Sequence, residues 1–437
     1  MIRVGSRTSS WFCTYVQSPA LHDDKFHQRF RRRFRCSYSS YLKLYDLLIQ
    51  DDLFLRWQCN DAVGRLPSPL QLLLLGALRY IGRGWTFDDL EESTSISEET
   101  HRQFFHCFIL WGSTVLYDSY VAYPIDKEQA QYHVNEMELA GFHGCIGSTD
   151  ATHVSMAKCP ISRANEHKGH KEGLPSRTYN ITVNHRRQIL YTTRGHPARW
   201  NDKTLTLFDE LIMNVSKGSI LTDYNFRLLE TNDDGNIQQQ HYKGVWLLCD
   251  NGYQNWPVLM APMKDAVLYT DIRWSKWVES VRKDVECTFG IMKGRFRILK
   301  IGIRLQSIEA MDKLWCTCCA LHNMFLDDDG LNKQWENGAP SDWEGILGTH
   351  DNDETTDTIY DASGMGHGND IIYDYDYDDN ESIDDNTGNN NNDLDSKLVH
   401  QMNCFEFRKK LINHFDILFQ KNEIKWPSRN GPIEPNL

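Results

Sequence analysis

No apolar run in this chain approaches the roughly 18 residues that a membrane-spanning helix requires. The longest, Leu72 to Leu78, is cut off by Arg79. The N-terminal stretch carries Arg3, Arg7 and a serine-rich patch but no sustained apolar core, so no secretory signal is expected. The twelve cysteines follow no regular spacing, and Cys249, Cys316 and Cys319 sit inside apolar segments, where reduced, buried thiols are the ordinary reading. A reducing intracellular compartment is expected. His167, His170, His185 and His196 fall in or beside expected turns, which argues against a zinc site. Basic residues are missing from one long segment altogether: between Asp351 and Asp395 stand fifteen Asp and Glu and no Lys or Arg.

That last absence explains the net charge of −13. The stretch from Asp327 to Glu344 adds six acids against Lys333 alone. With both acidic stretches and the mildly basic C-terminal segment set aside, residues 1–326 carry a charge of about +4. The acidity belongs to a tail, and the body suits a nucleic-acid partner. At 437 residues, 40% apolar and 12% aromatic, the chain is long enough for two or more modules and a substantial core.

Residues 1–24 show no periodicity and are expected to be flexible. Phe26, Phe30 and Phe34 then recur every four residues, stacking on one helical face and turning Arg29, Arg31, Arg32 and Arg33 outward. Those arginines serve phosphate contact, nuclear import or simply a solvated face. Over 25–125 a helical region is expected: a helix from Leu70 to Arg83 ended by Gly84, a short one at Thr86 to Leu90, and a third from a Ser95–Glu98 capping box to about Tyr117. The outline is that of a helix-turn-helix, but Glu98 and Glu99 in the first turn of the last helix repel phosphates. A packing module fits better than a base reader.

From 140 to 325 the pattern becomes mixed α/β. Strands are expected at Cys145–Ser155, Tyr179–Asn184, Gln188–Thr193 and Val245–Cys249, and helices at Lys203–Val215, Trp274–Lys300 and Ile308–Phe325, with a polar connection at Thr231–Gln240. Residues 327–395 have too little apolar surface to offset chain entropy and are expected to be disordered. Helical character returns over 396–426, to dock on the body or to bind a partner.

Three acids stand out in this frame. Asp150 in the first strand and Asp250 closing the run Val245–Cys249 are read at or near strand ends, and Glu286 sits on the long helix beside Arg282 and Lys283. Each alone is a turn residue or a surface ion pair. Together they are what a divalent-metal nuclease needs: carboxylates from separate elements holding two Mg²⁺ or Mn²⁺ ions about 4 Å apart to activate a nucleophile and steady a leaving oxygen. Hard cations take oxygen ligands, so neither His nor Cys is required. Lys293, Arg295 and Arg297 are candidate contacts to DNA phosphates, and Trp274 and Trp277 either pack or position DNA.

The words around these acids resemble those of PIF/Harbinger-type DDE transposases and their host-derived relatives. Gly147-Ser148-Thr149-Asp150-Ala151-Thr152-His153 is similar to the first-Asp motif, with Ala151 for the usual Gly. Leu248-Cys249-Asp250-Asn251-Gly252-Tyr253 and Leu259-Met260-Ala261-Pro262 resemble the second, and Val281-Arg282 to Glu286, Phe289-Gly290, Lys293 and Arg295-Phe296 resemble the third. Asn201-Asp202 stands where His-Asp is common, leaving Asp202 as an auxiliary acid. The resemblance covers about residues 25–325. It implies an RNase H-like fold, with cleavage and strand transfer at terminal inverted repeats by the triad Asp150, Asp250 and Glu286. It also implies nuclear action and a separate Myb-like partner that supplies much of the DNA binding; a homo-oligomer is compatible with it. The rival reading is a host-recruited protein that binds DNA or such a partner and no longer cuts.

Overall fold

The computed structural model describes residues 5–169, 174–232, 234–329 and 396–424. Helices come first: α1 (Asp24–Phe34), α2 (Tyr38–Leu48), α3 (Leu70–Arg83), α4 (Phe87–Thr94), α5 (Glu98–Trp111), α6 (Tyr117–Tyr120) and α7 (Lys127–Leu139). The four-residue phenylalanine spacing builds α1 as expected, with Phe26, Phe30 and Phe34 buried and Asp23 capping the Lys25 amide. Residues 5–23 differ from expectation. They pack rather than hang free, because Trp11 and Tyr15 complete the phenylalanine face, with ring centroids 5.3 Å from Phe34 and 5.7 Å from Phe30. Helix α3 runs between Pro69 and a left-handed Gly84 (φ 72°), as read. The capping box, however, is Thr86 with Asp89 at the start of α4; Ser97, through the Thr100 amide, caps α5. Ser95 instead takes the left-handed turn conformation, φ 57°, that joins the two helices.

The central sheet has the order β3-β2-β1-β7-β8, with β4 added on β2. Its strands are β1 (Cys145–Ser155), β2 (Ser176–Val183), β3 (Ile189–Thr192), β4 (His196–Pro197), β7 (Trp246–Leu248) and β8 (Leu259–Met260). The first three are mutually antiparallel, whereas β7 runs parallel to β1 and β8 parallel to β7. Between them lie α8 (Ile161–His167), α9 (Asp202–Thr206), α10 (Glu210–Ser216) and the hairpin β5 (Asn225–Thr231) and β6 (Ile237–Lys243). After β8 come α11 (Tyr269–Arg295), α12 (Ile298–Ile301), α13 (Ile308–Asp328), β9 (Lys397–Leu398) and α14 (Cys404–Gln420).

Two expected elements are corrected here. The helix read over Lys203–Val215 is broken in two, because Asp209 leaves the helical path and caps the Ile212 amide of α10. The polar connection at Thr231–Gln240 is largely hairpin: Phe226 and Leu228 point inward while Ile237, Gln238 and Gln239 face solvent, hiding the strand pattern on one side.

The core formed by α1 to α5 runs without a break into the sheet, through α13 to Tyr179, Ile181 and Val154. A second core joins α7, α10, β7, the N-terminal half of α11, and α14. Helix α14 docks on both β5 and α11: the Leu229 amide donates to His414 Nδ1 at 2.9 Å, and Arg273 pairs with Asp416 at 2.7 Å. Asp328 and Asp329 belong to the body rather than to the acidic segment, pairing with Lys43 (2.7 Å) and Arg31 (3.0 Å). From 330 to 395 that segment lies outside the described residues. No described helix is long and apolar enough to cross a membrane.

Candidate active site

Sheet register brings the first two acids together. Ser148 of β1 pairs with Leu248 of the parallel strand β7, so Asp150 and Asp250 each stand two residues further along neighbouring strands. Asp150 is in the middle of β1, not at its end; what ends two residues before it is the β1–β7 ladder. Asp250 begins a tight turn in which the Gly252 amide donates to its Oδ1 at 2.7 Å. A Cβ on Gly252 would lie 2.4 Å from Asp202 Oδ2 and 3.0 Å from Asp250 Oδ1. Asp202, in the first turn of α9, thus meets Asp250 across that glycine.

Helix α11 supplies the third acid. Val285 and Met292 share a core with Ile181, the cross-strand partner of Asp150, so the helix lies over that face of the sheet. Arg282 reaches down from it and bridges two of the acids: Nη1 is 3.3 Å from Asp150 Oδ2 and Nη2 is 2.9 Å from Glu286 Oε1. Glu286 is 44% exposed at its side chain, against 18% for Asp150, so the cluster opens to solvent on the helix side. Burial first, then the charges of Asp250 and Asp202, push the Asp150 carboxyl up to about 7, against the Ala151 amide and Arg282, which pull it down.

Beneath the acids lies a polar network that the sequence reading missed. Asn180, fully buried, donates to Thr149 Oγ1 at 3.0 Å and to Asp209 Oδ2 at 2.7 Å, and its Oδ1 accepts from the Tyr253 hydroxyl. Every polar atom of the amide is satisfied, which fixes the turn after Asp250 against β1 and β2. The only hint in the sequence was a buried-strand position, between Tyr179 and Ile181, taken by an Asn.

Arg295 is corrected as a DNA contact. It is 2% exposed, 3.7 Å from Asp329 and 5.4 Å over the Phe325 ring, buried by α1 and α13. Arg297 is exposed and Lys293 half-buried. Trp274 and Trp277 pack in the core.

The donor set (Asp150, Asp202, Asp250 and Glu286) is all hard oxygen and suits Mg²⁺ or Mn²⁺ in kind. Among the described residues, however, no three such groups stand close enough to share one ion. The Arg282 guanidinium takes the place of the neutralising charge. The chemistry of the donor set fits such ions, while the spacing of the groups, with Arg282 between Asp150 and Glu286, does not bring three of them to one point.

Comparison with known proteins bears on the family. Residues 118–333 match the family model described as plant transposon protein. The putative nuclease HARBI1 of Xenopus laevis is 26% identical over 226 residues, 51% of this chain and 58% of that protein. These matches support a Harbinger-type, transposase-derived family. Protein ALP1-like of Arabidopsis thaliana is 21% identical over 284 residues, 63% of this chain and 65% of that one. The chain spans less than two thirds of either curated relative. No solved structure matches it.

Proposed function

We propose that the chain is a divalent-metal-dependent DNA endonuclease of the transposase type. The observation that carries this reading is the gathering of Asp150, Asp202, Asp250 and Glu286, from four separate parts of the chain, around Arg282 and Gly252. Three antiparallel strands extended by two parallel ones are what the RNase H-like reading of the central sheet requires, and a relative named as a putative nuclease supports it.

Asp150 and Asp250 would hold one face of the metal centre and Glu286 the other, with Asp202 as a fourth ligand. When bound, the ions supply an activated water and neutralise the leaving oxygen. The chain's own residues do the rest. Repulsion among close, half-buried carboxylates makes the cleft favour cations. Arg282, already at the site, turns to a non-bridging oxygen of the scissile phosphate as a guanidinium does readily. Lys293 and Arg297 hold flanking phosphates. The water oxygen forms a bond to phosphorus, the P–O3′ bond breaks, and the released 3′-oxygen takes up a proton. In a transposase that 3′-hydroxyl then attacks a second phosphodiester. On this reading the substrate ends are terminal inverted repeats, the site of action is the nucleus, and a Myb-like partner adds DNA affinity.

Supercoiled plasmid incubated with Mn²⁺ tests the core of the proposal. The wild type should nick it and Asp250→Asn should not, while binding DNA near normally. Equal nicking by both proteins sinks the assignment; no nicking by either favours the recruited, non-cutting rival.

A further inference from the structure

We propose that His196, Trp200 and Phe208 form a stacking platform for an unpaired nucleobase of DNA beside the carboxylate cluster. The proposal rests on the nuclease reading for its substrate, and it names a subsite that the acids themselves do not make. The three rings form one continuous group. His196 and Trp200 lie nearly parallel with centroids 5.0 Å apart, Trp200 and Phe208 are 4.9 Å apart, and His196 and Phe208 5.4 Å. Asp202 sits between Trp200 and Phe208 in the sequence, on the one-turn helix α9, so platform and acid are carried by the same short segment.

The group is not part of either core. Leu205 and Leu211 bury the inner side of this segment, while Phe208 is 54% exposed and Leu207 50%. An exposed aromatic ring beside a second exposed apolar side chain leaves surface that water solvates poorly, and a planar ligand face is the natural cover.

The platform is also held rigidly from below. His196 pairs with Thr178 of β2. The Gly195 carbonyl accepts from Arg177, whose guanidinium is locked by Asp312 at 2.7 and 2.8 Å. A Cβ at Gly195 would lie 2.4 Å from Arg177 Nε, so only glycine lets the turn sit this close. Burial and the nearby Arg177 hold His196 below its ordinary pKa, so the ring stacks as a neutral imidazole. A pre-positioned ring group loses little freedom on binding, which favours recognition by stacking.

Charge around the rings selects the occupant. The exposed charges on the segment from 194 to 210 are Arg194, Arg199 and Lys203 against Glu210. Aromatic faces flanked by cations are the elements with which proteins hold single strands: the rings take bases irrespective of sequence and the cations take phosphates. A base within duplex DNA has both faces covered by its neighbours. Only an unpaired one, next to the cut or at a frayed end, offers a face to Phe208.

The test uses the full chain and a fluorescein-labelled 12-nucleotide oligodeoxythymidine in EDTA, read by anisotropy, with plasmid nicking in Mn²⁺ measured in parallel. Stacking contributes about 1–3 kcal/mol per base, so Phe208→Ala should raise Kd about 5- to 150-fold, and Phe208→Trp should restore binding. Phe208 is exposed, so neither variant should melt differently from wild type. Unchanged affinity in Phe208→Ala, no binding by the wild type, or equal loss with Phe208→Trp overturns the platform. Nicking by a wild type whose oligonucleotide affinity ignores Phe208 leaves the nuclease reading standing alone. Phe208-dependent binding without nicking leaves the platform and removes the nuclease.

Discussion

Replacing Asp150 with asparagine should make the metal-free protein more stable above neutral pH. The carboxyl is lifted from 3.8 to about 7 in the folded chain, which makes its ionised form about 4 kcal/mol less favourable there than in the unfolded chain. A folded-state value above the unfolded one means that the folded chain binds the extra proton. The stability is complete below pH 3.8 and is lost as pH rises through about 7. Asparagine carries no such charge and can still accept the Ala151 amide hydrogen bond, 2.8 Å long in the wild type. The attraction of Arg282, 3.3 Å away, is already contained in that net shift, and solvent screening at this partly exposed side chain leaves about half of the 4 kcal/mol. A net gain of about 2 kcal/mol corresponds to about 4 °C in Tm for a domain of this size. Thermal melts in EDTA should show Asp150→Asn above the wild type by about that much at pH 8, with most of the gap closed at pH 5. Saturating Mn²⁺ should reverse the order, because the ion stabilises only the chain that binds it. No gap at pH 8, or one that is constant with pH, would refute the reasoning.

Other perturbations follow from the same geometry. Gly252→Ala places a methyl against Asp202 and Asp250 and should cut nicking at least tenfold with little change in Tm. Arg282→Gln removes the resident cation and should tighten Mn²⁺ binding about fivefold, read by calorimetry, since two partly exposed pairs resist the ion by about 1 kcal/mol. Asn180→Ala leaves the Tyr253 hydroxyl without its acceptor, takes one hydrogen bond each from Asp209 and Thr149, and should cost about 2–4 kcal/mol in urea unfolding. Arg295→Ala should lower stability without altering the salt dependence of DNA binding, whereas Arg297→Ala should do the reverse.

Much of this was legible because strong local patterns carry it. The apolar run Val245–Cys249 delivers Asp250, the three- and four-residue spacing from Val278 to Met292 builds α11, and the phenylalanine repeat builds α1. Each acid could be read from its own segment, together with a family resemblance. What joins them was not legible. Arg282 reads as an i,i+4 partner of Glu286, and nothing local shows that its other nitrogen meets Asp150, 132 residues away in sequence. Arg295 looked like an exposed cation because the side of α11 that α1 and α13 cover is set by tertiary packing. The hairpin β5–β6 escaped because β6, although flanked by β5 and β9, faces solvent along Ile237–Gln239 and carries glutamines. The break between α9 and α10 hangs on a single residue, Asp209, whose side chain serves at once as helix cap and as partner of Asn180.

Crystals soaked in Mn²⁺ and measured at the manganese absorption edge give the most direct test of the central claim. The account predicts an anomalous peak about 2.1 Å from carboxylate oxygens of both Asp150 and Asp250, with Arg282 swung away from Asp150. Clear density with Arg282 still bridging Asp150 and Glu286, and no peak at the acids at saturating Mn²⁺, contradicts it.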